Sequence, residues 1–163
     1  MYPTNEKEAL EALKGDDPEL AATAEAVLWS AWCRSGDAET DRVFRAGVEA
    51  MQQQQLTNAE ELFSRVIELK PRFAEGWNKR ATVYYLAGDY KRSIADCGEV
   101  LKRNPRHFGA LSGLGQIYLQ LEQYDESLAW FRKALDVNPN MVGVEFNIKR
   151  IETLRKERRG TQI

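Results

Sequence analysis

The chain of 163 residues is long enough for one domain with a sizeable core and too short for two full ones. Charged residues make up 29% and hydrophobic ones 43%, the balance of an ordinary globular protein, and the net charge of −2 excludes a strongly basic or acidic chain. The charge is unevenly spread: residues 1–39 hold nine acids against three bases, 40–141 thirteen against fourteen, and 142–163 three against six. No stretch approaches the roughly 18 apolar residues of a membrane span. The start, "MYPTNEKEAL", has neither a basic nor an apolar leader region, so the expectation is a protein that is not secreted: cytoplasmic, or inside an organelle if a targeting segment precedes it.

In chain order, a short helix is expected from Glu6 to Lys14 behind a Thr4 cap. A second begins at Asp17-Pro18, with Pro at the first helical position, and stops at Gly36; Leu20, Ala24, Val27, Leu28, Ala31 and Trp32 form its apolar stripe. The four glutamines Gln52 to Gln55 read as a helix end and a turn. In "AEGWNKRATVYYLA", Trp77, Ala81 and Tyr84 recur at helical spacing, as do Ile94, Cys97, Val100 and Leu101 in "YKRSIADCGEVLKR". Gly88-Asp89 breaks the chain between these two helices and Asn104-Pro105 stops the second. From Val142 onward, Val144, Ile148 and Ile151 make an apolar face while Glu145, Lys149 and Glu152 make a polar one, and the helix ends in the basic run Arg155, Lys156, Arg158 and Arg159. That run reads as a cap helix with cations favourable at its C-terminus rather than as a nucleic-acid footprint, because no aromatic is interleaved and no second basic run accompanies it.

Pro71, Pro105 and Pro139 stand 34 residues apart. The same shift aligns Val43, Trp77 and Leu111; Gly47, Ala81 and Gly115; Ala50, Tyr84 and Tyr118; and Phe63, Cys97 and Phe131. With repeat position 1 at Thr40, Ala74 and Phe108, the third copy reads Leu111, Leu114, Gly115, Tyr118, Ser127, Phe131, Ala134 and Pro139. The pattern resembles the tetratricopeptide repeat (TPR) family, W-x2-L-G-x2-Y, then A-x3-F, then P. Ala46 and Arg80 depart from it at position 7, where leucine is usual. The resemblance implies an all-α, right-handed helical-hairpin solenoid. Its parts are an N-terminal segment 1–39 as a degenerate half-repeat cap over repeat 1, repeats at 40–73, 74–107 and 108–141, and a C-terminal capping helix with basic tail at 142–163.

The glycines of "NPRHFGALSGLGQIYLQ" raise the question of a phosphate loop. No Lys or strand pattern accompanies them, and Gly115 falls at repeat position 8, where a small residue lets paired helices approach. Nothing else suggests catalysis or a cofactor. His107 is the only histidine, Cys33 and Cys97 form no CxxC and read as small buried hydrophobes in a reducing compartment, and the acids fall at solvated helix spacings. The chain is therefore read as non-enzymatic, without cofactor or metal.

In the family, positions 2, 5, 6, 9, 12 and 13 of each first helix line a concave groove. By resemblance the lining here is Phe44, Arg45, Val48 and Met51; Asn78, Lys79, Thr82 and Tyr85; Gly109, Ser112, Gly113, Gln116 and Leu119; and Phe146, Asn147 and Arg150 from the cap. Such a wall suits a peptide segment with apolar side chains and one or two carboxylates, and Gly109 with Gly113 leave a bare floor in repeat 3. The family's clamp for chaperone tails needs Lys and Asn at positions 5 and 9 of its first repeat, Asn at 6 of the second, and Lys and Arg at 2 and 6 of the third. Phe44, Val48, Lys79, Gly109 and Gly113 stand there instead. The expected function is thus an adaptor or scaffold for an unidentified protein partner, outside the chaperone-tail class. Docking through the convex face, self-association into a homo-oligomer, and nucleic-acid binding by the basic tail are the competing readings.

Overall fold

A computed structural model describes residues 1–161, and within them all regular structure is helical. The elements are α1 (Glu6–Ala12), α2 (Pro18–Trp32), α3 (Ala38–Gln52), α4 (Leu56–Leu69), α5 (Ala74–Leu86), α6 (Tyr90–Arg103), α7 (Phe108–Gln120), α8 (Tyr124–Val137) and α9 (Val142–Gly160). Helices α3–α4, α5–α6 and α7–α8 are antiparallel pairs, each stacked on the next, with α9 on α8.

The same turn closes every pair. Residue 15 of each repeat sits in the left-handed region, at Gln54 (φ 58°), Gly88 (φ 78°) and Glu122 (φ 56°). The next amide then reaches back five residues, Gln55 N to Ala50 O, Asp89 N to Tyr84 O and Gln123 N to Tyr118 O, each at 2.9 Å. This is the Schellman closure, which satisfies carbonyls the helix end leaves free. Only repeat 2 uses the glycine that favours such a φ.

Inside each pair, position 8 meets position 24, and their sizes compensate. A Cβ on Gly47 would lie 2.7 Å from the Phe63 ring and one on Gly115 2.5 Å from Phe131, whereas in repeat 2 Ala81 faces the smaller Cys97 within one buried cluster. Ser93 Oγ donates to Ala81 O at 2.7 Å and Ser127 Oγ to Gly115 O at 2.6 Å, tying position 20 of one helix to position 8 of its partner. Arg80, where leucine is usual, forms a two-pronged contact to Asp96 (2.7 and 2.9 Å) and donates to Ser64 Oγ. Position 7 of repeat 2 therefore carries a largely buried ion pair within the α5–α6 hairpin, tied to α4 of the preceding hairpin through Ser64, and Asp96, 5% exposed, is not the solvated acid its spacing predicts.

Helix α9 lies against the last hairpin. Val144 and Ile151 are buried and Ile148 packs beside them on Leu128 and Phe131, while Glu145, Lys149 and Glu152 are exposed. The basic end of α9 is drawn onto the α7–α8 turn: Arg155 pairs with Asp125 and Arg158 with Glu122, both at 3.0 Å.

The N-terminal pair departs from the sequence reading in three ways. Asn5 rather than Thr4 caps α1, accepting from Glu8 N, while Thr4 bonds back to the Glu8 carboxylate; α1 ends at Ala12. Helix α2 starts at Asp17-Pro18 as expected but ends at Trp32, with Gly36 (φ 80°) further along the connection. The third departure is its location. Ala9, Leu10, Leu13, Ala24 and Leu28 enclose Phe108 at the start of α7, and Trp29, Trp32, Val137 and Met141 complete the cluster. Asn138 Nδ2 donates to Glu25 and Asn140 Nδ2 to Leu13 O at 2.7 Å. The pair thus lies over the edge formed by the start of α7 and the α8–α9 connection, instead of continuing the stack as a half-repeat ahead of repeat 1. The cause is chemical: α2 carries two tryptophans whose partners, His107 and Phe108, stand at that edge. Only the end of α2 reaches repeat 1, through Cys33 beside Phe44 and through Ser35, which donates to Asp41.

Candidate functional site: the concave groove

The first helices α3, α5 and α7 bring most of the expected lining residues into one face, divided into three hollows. Cys33, Phe44, Arg45, Val48 and Lys79 border the first, between repeats 1 and 2. Phe44 contributes little surface there: at 5% exposure it is wedged edge-on against Phe63 and Phe73, a core residue more than a contact residue. Met51 likewise packs on that core.

The central hollow, about 200 Å³, lies between α5 and α7. Asn78, Thr82, Tyr85 and Gln116 form its polar rim, and Ala81, Cys97, Gly113 and Ile117 its floor. A Cβ on Gly113 would meet nothing nearer than Cys97 Sγ at 3.9 Å, so the missing side chain leaves real space. Gly109 differs. A Cβ there would fall 2.6 Å from Trp29 Cη2, so this half of the floor, although it still lines the hollow, is crowded from one side by the protein's own α2. The third hollow joins Ser112, Gly113, Gln116 and Asn147 to Gly143 and Val144, with Glu25 of α2 at its edge. Leu119 packs into the cap core, while Phe146 (67% exposed) and Arg150 stand on α9 outside the hollows.

A buried polar network under the groove escaped sequence reasoning. His107, fully buried, caps α7: its Nδ1 accepts from Ala110 N at 3.1 Å, which places the proton on Nε2, and Nε2 donates to Glu75 Oε2 at 2.7 Å. Glu75 also accepts from Asn78 Nδ2 at 2.9 Å and has Lys79 Nζ 3.9 Å away, and Trp32 stacks on the imidazole at 4.6 Å. Glu75, although at repeat position 2, which faces the groove in the family, is 1% exposed and serves to orient the groove residue Asn78 and the helix cap. The available signal was its place at repeat position 2 with the chain's sole histidine at position 34 of the same repeat.

The chemistry this face offers is recognition. Burial pushes the Cys97 thiol up to about 12, and burial, with the Glu75 charge second, pushes Cys33 up to about 11, so neither is a thiolate nucleophile at neutral pH. Among the described residues no group of three or more His, Cys, Asp or Glu is arranged to hold a metal, and no helix is long and apolar enough to cross a membrane.

Comparison with known proteins agrees with this architecture. The chain is 32% identical over 123 residues to a TPR repeat-containing protein of Rhizobium etli, a match covering 76% of this chain and 60% of that relative. Among solved structures, the Sgt2 TPR domain from Aspergillus fumigatus superposes with a TM-score of 0.71 at 18% identity, covering 76% of this chain and 83% of that one. The first TPR of Spaghetti (RPAP3), bound to the HSP90 peptide SRMEEVD, superposes at 0.70 with 16% identity over 74% of this chain and 96% of that one. Residues 52–134 match the family described as anaphase-promoting complex, cyclosome, subunit 3, half of the chain, and with the repeat register and the stacked hairpins this makes the protein a member of that tetratricopeptide-repeat-type family, a protein-interaction module.

Proposed function

We propose that the protein is a non-enzymatic adaptor that takes up a peptide segment of a partner in the central hollow of its groove, by a mode other than the chaperone-tail clamp. The observation that carries this reading is Gly113: an open helix surface flanked by side-chain amides (Asn78, Gln116), a hydroxyl (Thr82) and a phenol (Tyr85). Amides and hydroxyls along a groove hydrogen-bond an extended backbone, while the apolar floor takes one side chain. Other TPR domains hold chaperone peptides, as the Spaghetti complex does. Here Phe44 is packed into the core at 5% exposure and Gly109 has no side chain and no room for one beside Trp29, so neither of these two clamp positions offers a charge.

The test pairs capture with blockade. Partners retained from native extract by the parent protein are re-measured by calorimetry against Gly113→Leu, which fills the hollow, and against Arg132→Ala on exposed α8. The reading expects binding to fall at least tenfold for Gly113→Leu alone, with the thermal melt retained. Equal binding by the parent protein and Gly113→Leu moves the interface to the convex face, and concentration-dependent dimerisation in light scattering moves it to self-association.

A further inference from the structure

The groove is not the only recessed surface. On the edge where second helices end and first helices begin, the connections after α2, α4 and α6 converge on a cleft of about 400 Å³. Its lining includes five cations, Arg34, Lys70, Arg72, Arg103 and Arg106, against one acid, Glu6. In sequence these cations are scattered singly over some seventy positions and form no run; the fold gathers them. Arg72 and Arg106 hold the same repeat position on successive connections, so the cluster repeats with the solenoid.

The cations fall into two groups. Lys70 and Arg103 are pinned. Lys70 Nζ donates to Ser35 O, and Arg103 donates to Pro71 O and Glu99 and lies over the Trp77 ring. Arg34, Arg72 and Arg106 are exposed and, among the described residues, make no ion pair; of these, Arg34 donates from Nε to Ser30 O at 3.1 Å and keeps its terminal nitrogens for a ligand. Nearby acids are otherwise engaged: Glu6 accepts from Trp32 Nε1, Glu99 holds Arg103 and Lys102, and Asp37 caps α3. The partly exposed Trp32 provides apolar wall between the charges, with Phe73 beneath as part of the core.

We propose that this cleft is a second docking site, for an acidic peptide segment whose carboxylates meet Arg34, Arg72 and Arg106 while an apolar side chain rests on Trp32. Charge complementarity carries the choice of an anion. The choice of peptide over nucleic acid rests on extent. The cations occupy a single open cleft rather than a stripe, and the molecule as a whole carries a net charge of −2 rather than the excess of cations that a nucleic-acid footprint brings. Arginine forks suit carboxylates in pairs, and exposed arginines keep the freedom to reach them.

Fluorescein-labelled hexaglutamate is the probe, followed by anisotropy at about 50 mM salt, where a Debye length of roughly 14 Å leaves rim charges effective. The parent protein is expected to bind it saturably. Arg72→Glu with Arg106→Glu should weaken it by about tenfold, since each exposed pair contributes modestly and reversal adds repulsion. Arg155→Glu with Arg158→Glu, on the α9 tail, should leave it unchanged. If the glutamate pair fails to fold by circular dichroism, Arg72→Gln with Arg106→Gln makes the same comparison. No saturable binding, or equal binding by the cleft variants, overturns the site; displacement of hexaglutamate by decathymidylate at equal or lower concentration than unlabelled peptide overturns the occupant.

Discussion

Gly113 and Gly115 lie two residues apart on α7 in opposite circumstances, and replacing each by alanine separates them. A Cβ at Gly115 would stand 2.5 Å from Phe131 Cδ1 and 2.7 Å from two further ring atoms, and Phe131 is 1% exposed, with no room to retreat. A Cβ at Gly113 would meet only Cys97 Sγ at 3.9 Å, ordinary contact. Alanine in a helix interior gains about 1 kcal/mol over glycine, and overpacking a dense core costs about 1–3 kcal/mol. Gly113→Ala should therefore be about 1 kcal/mol more stable than the parent protein and Gly115→Ala up to about 2 kcal/mol less stable. Urea denaturation at unchanged m-value measures both, and the two melting points should move apart by several degrees, at about 2–4 °C per kcal/mol for a chain of this size. Repeat 2 supplies the control, because it pairs Ala81 with Cys97 at the same two positions. Gly115→Ala combined with Phe131→Cys should then show favourable coupling of about 1 kcal/mol or more in a double-mutant cycle. Equal responses of the two single variants, or strict additivity in the double, would refute the idea that position 8 is sized to position 24.

Arg80→Leu restores the usual residue yet should destabilise by about 3–5 kcal/mol, because it strands the 5%-exposed Asp96; adding Asp96→Ala should recover much of that loss in the same denaturation assay. Gln54→Gly relieves a non-glycine residue held in the left-handed region, and a gain of about 0.5 kcal/mol is expected once unfolded-chain entropy is set against the relief of strain. Ser35 donates to Asp41 from both its amide and its hydroxyl and so holds that carboxyl below the usual carboxylate range. A depressed folded-state value contributes stability above the unfolded value and loses it as pH falls through the folded one. Ser35→Ala should accordingly lower the melting point at neutral pH, with a gap from the parent protein that narrows on acidification below the ordinary carboxylate range.

The three hairpins were legible because each signal repeats. Proline at position 32, the small residue at position 8 and the ring or thiol at position 24 recur at 34-residue spacing, so each copy corroborates the others. The same logic located the cap, whose polar face lacks the residues a further helix would need. What could not be read depends on contacts between segments that do not repeat. The place of α1 and α2 is fixed by Trp29 and Trp32 meeting His107 and Phe108, some seventy-five residues away, and by Asn140 bonding the Leu13 carbonyl. Trp32 lies on the apolar stripe of α2, but neither tryptophan recurs at the 34-residue spacing, so nothing in the sequence pointed to their partners. The buried role of Glu75 was hidden likewise, since a glutamate in the first turn of a helix is ordinarily a solvated residue favoured by the dipole. In the groove, Asn78, Thr82, Tyr85, Gly113 and Gln116 converge as the repeat register implies, while Phe44 and Gly109 were misjudged because register says which face a residue takes and not what lies on top of it.

The two groove glycines of repeat 3 therefore have different causes, and the difference bears on how the groove can be used. Gly109 is small because Trp29 occupies the space above it, an intramolecular demand met whenever α2 is docked. Gly113 answers to no side chain of this protein: the nearest atom to its absent Cβ is at ordinary contact distance, and helix propensity alone would favour alanine there by about 1 kcal/mol. A residue that weakens its helix without relieving a clash fits a surface kept open for something else. Helix α2, by filling the Gly109 end, bounds that opening, so a bound segment would enter beside Tyr85 and Gln116 and run along α5 and α7 with the α2 aromatics as its end wall.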